Sequence, residues 1–137
     1  MKAQELRIGN YVYYEHTTHI VSGIHGNKVY SWWVKDGQPV IEYEAKDISG
    51  TQVENPYIDV ISQHEPIPLT EEWLEKFGFQ KNITTDLYPT FSYNILNIND
   101  GIVYVLNYGF ITHIKYLHQL QNLYFALTGE ELTIKQD

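Results

Sequence analysis

The sequence predicts an α+β protein, and three observations carry that reading. Two segments have the spacing and end signals of helices. Several short runs rich in Tyr, Val, Ile and Trp are separated by Gly-containing turn dipeptides. The aromatic share is high, with 12 Tyr, 5 Phe and 3 Trp, and aromatic side chains favour the pleated surface of a sheet.

The elements follow in order. Asn10 to Glu15 reads NYVYYE. Both alternating sets are apolar, so the strand is expected to be covered on both faces. His19 to Ile24 is a second strand, and Gly26-Asn27 supplies a turn because both residues tolerate positive φ. Lys28 to Lys35 (KVYSWWVK) is a third strand, Asp36-Gly37 a second turn and Gln38 to Glu44 (QPVIEYE) a fourth strand. Tyr57 to Ile61 adds one more. Short strands joined by tight turns predict a curled meander or an SH3-like small β-barrel over residues 1–63.

The stretch Gln63-His64-Glu65-Pro66-Ile67-Pro68 is the expected boundary, because proline removes ladder donors and stiffens the chain. Thr70 then opens a helix as its N-cap. Glu71 and Glu72 sit at the positive end of the helix dipole. Trp73, Leu74 and Phe77 form the buried face, and Gly78 ends the helix. Thr90 to Ile98, Ile102 to Asn107 and Phe110 to Ile114 are strands, the first two joined by Asn99-Asp100-Gly101.

A last helix is expected from about Tyr116 to Thr128, stopped by Gly129. Leu117, Leu120, Tyr124 and Leu127 share one helical face. Leu123, Phe125 and Ala126 widen it, and Lys115 is the only charged side chain between Ile114 and Gly129. So apolar a helix is expected to be buried. Residues 67–137 therefore read as an α-β-β-β-α unit with an antiparallel sheet. The two halves are expected to pack together, since neither alone holds a large core.

Composition excludes several classes. The 137 residues include no Cys, which removes disulfides, thiolate catalysis and Cys-based metal sites. The start, MKAQELRIGN, lacks the apolar run of a secretion signal, and no stretch approaches a membrane span. A cytoplasmic protein is the expectation. The formal charge is −8, from 9 basic and 17 acidic residues, and no Lys/Arg block is present. That argues against binding a phosphate backbone. Lys28, Lys35 and Lys46 are the only candidates for a local basic patch.

Three segments carry a resemblance: LRIGNYVY (6–13), IPLTEEWLEKFGF (67–79) and HQLQNLYFALTGEEL (118–132). Together they resemble a family of short uncharacterised proteins of gut Bacteroidetes genomes, phages and mobile elements. The resemblance implies a setting, a prophage or conjugative element. It implies no activity and assigns no site residue.

Chemistry-bearing motifs are sparse. There is no nucleophile elbow, P-loop or dinucleotide fingerprint. His16, His19 and His25 are close in sequence, but strand positions three apart face opposite ways, so no metal site is expected. Glu42 and Glu44 read as a solvated strand face. No catalytic residue, cofactor or metal ligand is assigned, and the balance leans against an enzyme.

Two interaction surfaces remain. Trp32 and Trp33 are strand neighbours facing opposite ways, so one is expected to fill a barrel interior and the other to lie outside. His118, Gln119, Gln121 and Asn122 form a polar arc on the last helix, expected on its exposed side. The functional expectation is a non-enzymatic accessory protein of a mobile element, acting by protein–protein contact. The alternatives are a nucleic-acid-associated barrel, and an enzyme or small-ligand binder with a site between the halves.

Overall fold

In a computed structural model, residues 5–43, 54–82, 90–105 and 109–135 are described. The chain divides into two units, Met1–Ile67 and Pro68–Asp137. The fold is α+β with two antiparallel sheets.

The N-terminal unit contains β1 (Tyr11–Tyr14), β2 (Thr17–His25), β3 (Lys28–Lys35), β4 (Gln38–Pro39), β5 (Tyr57–Val60) and β6 (His64–Glu65). The path β4-β3-β2-β1-β6 forms one sheet, and β5 also pairs with β3. Strands β5 and β6 lie toward opposite edges, yet only the 3₁₀ turn Ile61–Gln63 separates them. So short a link requires the sheet to curl until its edges approach. A closed ladder is not formed between β5 and β6 among the described residues.

Local chemistry explains most of these elements. Asp36 and Gly37 both take positive φ, 52° and 79°, as a two-residue hairpin turn needs. The β1–β2 turn was not foreseen. It uses Glu15 and His16 at φ 49° and 66°, without Gly or Asn to favour that conformation. The strand expected over Gln38 to Glu44 shortens to Gln38–Pro39, plus an isolated bridge from Tyr43 to Glu54. Pro39 cannot donate to a continuing ladder. Glu44 and Lys46 lie outside the described residues. Conversely, His64 and Glu65 do pair, with Tyr14 and Tyr13. The prolines end that ladder after two residues rather than preventing it.

Register places Val12, Val21 and Val29 on one face, and with Leu6 they form the buried core of this unit. The opposite face also carries buried side chains, Tyr11 and Trp32. The expectation that both faces of β1 are covered therefore fits.

The C-terminal unit opens with α1 (Glu71–Lys76). The Thr70 hydroxyl accepts from the Trp73 N–H at 3.3 Å, the capping bond that the sequence predicts. The antiparallel sheet that follows has five strands rather than three. In order they are β7 (Gln80–Asn82), β8 (Thr90–Tyr93), β9 (Leu96–Asn99), β10 (Ile102–Val105) and β11 (Gly109–His113). The run expected as one strand over Thr90 to Ile98 is two, folded at Asn94, whose φ is 53°. Asn tolerates that conformation, but without a following Gly the turn is not visible in the sequence.

This sheet is two-faced. Phe91, Leu96, Ile98, Val103 and Val105 point one way, and all are buried. Thr90, Ser92, Asn97 and Asn99 point the other. The last helix, α2 (Leu117–Thr128), lies on the apolar face, where Tyr124 packs 5.7 Å from Tyr93 between ring centres. It ends at Gly129, φ 75°. Leu117, Leu120 and Tyr124 are buried as expected, but Phe125 and Leu127 are 39% and 42% exposed. The helix is thus half-buried and not enclosed. Leu120→Ala is expected to cost about 2–5 kcal/mol by leaving a cavity, and Leu127→Ala within about 0.5 kcal/mol. Urea unfolding of the two variants checks the contrast.

Candidate functional site

Five strands of the N-terminal sheet bring polar side chains to one point of its concave core face. Strand pairing sets Tyr14 opposite His64, Ser31 opposite Tyr57, and Val29 opposite Asp59. His19 lies opposite Trp33 on the same face. Period-two alternation therefore turns Tyr14, His19, Ser31, Trp33, Tyr57, Asp59 and His64 toward the same side.

Hydrogen bonds fix the state of each group. Thr17 donates its hydroxyl proton to the Tyr14 carbonyl at 2.8 Å. Its oxygen is then free to accept from His19 Nε2–H at 3.1 Å. The other ring nitrogen, Nδ1, accepts from the Ser31 hydroxyl at 3.0 Å. His64 donates from Nδ1 to the Val60 carbonyl at 3.2 Å. Its Nε2 is buried and has no hydrogen-bond partner among the described residues. Tyr14 donates to Asp59 Oδ2 at 3.0 Å, and the Val60 N–H donates to Asp59 Oδ1 at 2.7 Å.

Burial decides the charges. It pushes His19 down to about 4, helped by His64, and lowers His64 too. Both rings are neutral at neutral pH. Burial, then the Asp59 carboxylate, push the Tyr14 phenol up to about 12. Ring packing binds the set together. Tyr14 stacks on His64 at 4.7 Å and meets His19 edge-on at 5.2 Å. Tyr57 meets His19 edge-on at 5.0 Å.

A Ser, a His and an Asp in one cluster invite a catalytic reading, and accessibility refutes it. Ser31 is 0% exposed and His19 3%, so no substrate carbonyl can reach that hydroxyl. Asp59 is engaged by Tyr14 and does not orient His19. The cluster is a structural rivet. Solvent reaches it at the half-buried Asp59 and at its rim, where Trp33 and Tyr57 are 37% and 38% exposed. Ile41, Tyr43 and Ile58 are also exposed, Ile58 on the face of β5 opposite Tyr57.

The residues singled out by sequence fall into place unevenly. Trp33 is on the rim. Trp32 is buried on the face opposite the Val12–Val21–Val29 core, the reverse of the arrangement a small barrel suggests. The polar arc on α2 is corrected. His118 and Gln121 are 1% and 0% exposed, and Gln121 donates to the Leu132 carbonyl at 3.4 Å, fastening the tail to the helix. Gln119 caps the helix start by accepting from the Lys115 and Tyr116 N–H groups at 2.9 and 3.0 Å. Asn122 is half-buried. These residues do not form an exposed strip. Sequence reasoning missed the gathering of His19 and His64 on the Tyr14 ring, because His64 lies far along the chain and strand register alone brings them to it.

A second concavity lies in the C-terminal unit, a cleft of about 340 Å³ between the start of α1, strands β8 and β9, and the end of β11. No cluster of three or more His, Asp or Glu able to hold a metal occurs among the described residues. Among the described residues, no helix is long and apolar enough to cross a membrane. Comparison with known protein families, curated proteins and solved structures finds no match to this chain.

The neutral histidines make the fold acid-sensitive. Their folded values lie below the ordinary 6.5, so the unfolded chain takes up protons first as pH falls. Stability is whole above about pH 6.5 and is lost toward about pH 4. For His19 alone the loss is on the order of 3 kcal/mol. Urea midpoints between about pH 7 and about pH 4.5 should fall, and His19→Gln should flatten the fall. A flat profile in the native protein contradicts the assignment.

Proposed function

We propose that the protein is a non-enzymatic interaction module that holds a segment of another protein on the aromatic rim of its N-terminal unit. The observation that carries this reading is the Trp33–Tyr57 pair, two half-exposed aromatic side chains on one face of paired strands. His19 supports Tyr57 from beneath, and Ser31 and Thr17 hold His19. Rigid aromatic groups give contact area at low entropic cost, and a surface ordered in advance binds more tightly.

Charge favours protein over nucleic acid as the partner. At −8, with no cluster of basic residues, the chain repels a phosphate backbone. Asp36, Glu42 and Glu54 are exposed along the same stretch, which favours a neutral or basic segment. The curled sheet and the 3₁₀ turn between β5 and β6 support reading this unit as an SH3-like small barrel. The resemblance of the three sequence segments supports a cytoplasmic role in a phage or mobile element.

Affinity capture with both protein and nucleic acid read out, followed by titration of the recovered partner, tests the reading. Trp33→Ala and Tyr57→Ala are expected to weaken binding roughly 30-fold, as truncation of interface anchors does, measured on variants shown to be folded, because Tyr57 also packs on His19. Recovery of nucleic acid, or of a protein whose binding ignores both substitutions, overturns it.

A further inference from the structure

The cleft of the C-terminal unit supports an inference independent of the aromatic rim. At about 340 Å³ it falls within the roughly 300–1,000 Å³ that small ligands occupy. Its floor is apolar. Leu74, Phe91, Ile98 and Ile114 line it, and each is buried. Its mouth is polar and carries both signs of charge. Glu71 and Asp100 lie on it with His113 and Lys115.

The state of these mouth groups is informative. Glu71 is engaged by Lys81 at 3.3 Å. Asp100, His113 and Lys115 make no side-chain hydrogen bond or ion pair among the described residues, with each other or with any neighbour. A carboxylate, an imidazole and an ammonium thus surround an apolar pit, their hydrogen-bonding capacity unused among the described residues. The backbone beneath them is tightly set. Gly101 has φ +77°, and a Cβ there would come within 2.8 Å of the Ile114 carbonyl and 3.2 Å of His113 Nε2. The Ile114 N–H donates to the Gly101 carbonyl at 2.8 Å. The turn bearing Asp100 therefore lies flat against the strand end bearing His113, and Lys115 follows directly.

We propose that this cleft binds a small zwitterion with an apolar body, of the class of free α-amino acids with a branched aliphatic or aromatic side chain. The apolar side chain fills the pit over Phe91 and Ile98. The α-ammonium group meets Asp100, and the carboxylate meets Lys115 and His113. A phosphate-like anion is disfavoured by Asp100 and Glu71, and a simple cation by Lys115. An uncharged hydrocarbon makes no use of the mouth.

Isothermal titration of the full chain with L-leucine and L-phenylalanine tests this, beside leucinamide and N-acetyl-leucine. The expected result is saturable binding of the free amino acids, with each blocked analogue weaker by roughly tenfold or more, the loss of one charge-assisted bond. Asp100→Asn should remove the penalty for N-acetylation, and Lys115→Gln the penalty for amidation. Both side chains are exposed. Asn also tolerates the φ of 48° at position 100, so both variants should fold. Absence of binding up to about 10 mM, equal binding of all four compounds, or binding unchanged in both variants overturns the proposal.

Discussion

The N-terminal unit depends on one part-buried hydrogen bond, from the buried Tyr14 phenol to the half-buried Asp59 carboxylate at 3.0 Å. Tyr14 stands on β1 and Asp59 on β5, strands that do not pair with each other. A buried phenol must find an acceptor or lose its hydration without return. Here the acceptor is presented by a strand on the far side of the curl. Around that bond the rest is determined. Tyr14 supports His64 by stacking and His19 by its edge, and His19 in turn holds Ser31 and Thr17. The sheet curls because three residues must carry the chain from β5 to β6, and the Tyr14–Asp59 bond holds the two ends of that curl in register.

This arrangement separates polarity from reactivity. The cluster has the residue types of a hydrolase, but each reactive atom is committed to another protein group or sealed from solvent. What remains exposed is aromatic surface. Tyr57 rests on the neutral ring of His19, which Ser31 and Thr17 hold by hydrogen bonds. In the C-terminal unit the order is reversed. There the apolar groups are at the bottom of the cleft, and Asp100 and Lys115, unpaired among the described residues, are at its mouth.

The helix α2 illustrates why polarity in sequence does not translate directly into exposure. Leu117, Leu120 and Tyr124 face inward, as their spacing requires. His118 and Gln121 face inward with them because a helix of 3.6 residues per turn places 117, 118, 121 and 124 on one flank. Gln121 is tolerated there because the Leu132 carbonyl satisfies its amide. Phe125 and Leu127 stay exposed although each stands seven residues beyond a buried side chain, His118 and Leu120, so their exposure follows their place in the last turn and not their flank. Hydrophobicity alone predicted an enclosed helix, whereas the structure covers its first two turns and leaves apolar side chains of the last turn exposed.

The sequence by itself determined the features that depend on near neighbours in the chain. These are the α+β class, the Thr70 cap, the stops at Gly78 and Gly129, and the turns at Asp36-Gly37 and Asp100-Gly101. Each rests on the conformational preference of one or two residues, so each is legible without the fold. Tertiary structure alone decided what depends on strand register. The turns at Glu15-His16 and Asn94 carry no glycine signal and were imposed by the pairing of their flanking strands. The gathering of His19 and His64 on the Tyr14 ring, the burial of Trp32 instead of Trp33, and the joining of Asp100 to Lys115 at one cleft follow from which residues lie opposite one another. Register is set by the packing of the whole sheet, so no local stretch of sequence contains it.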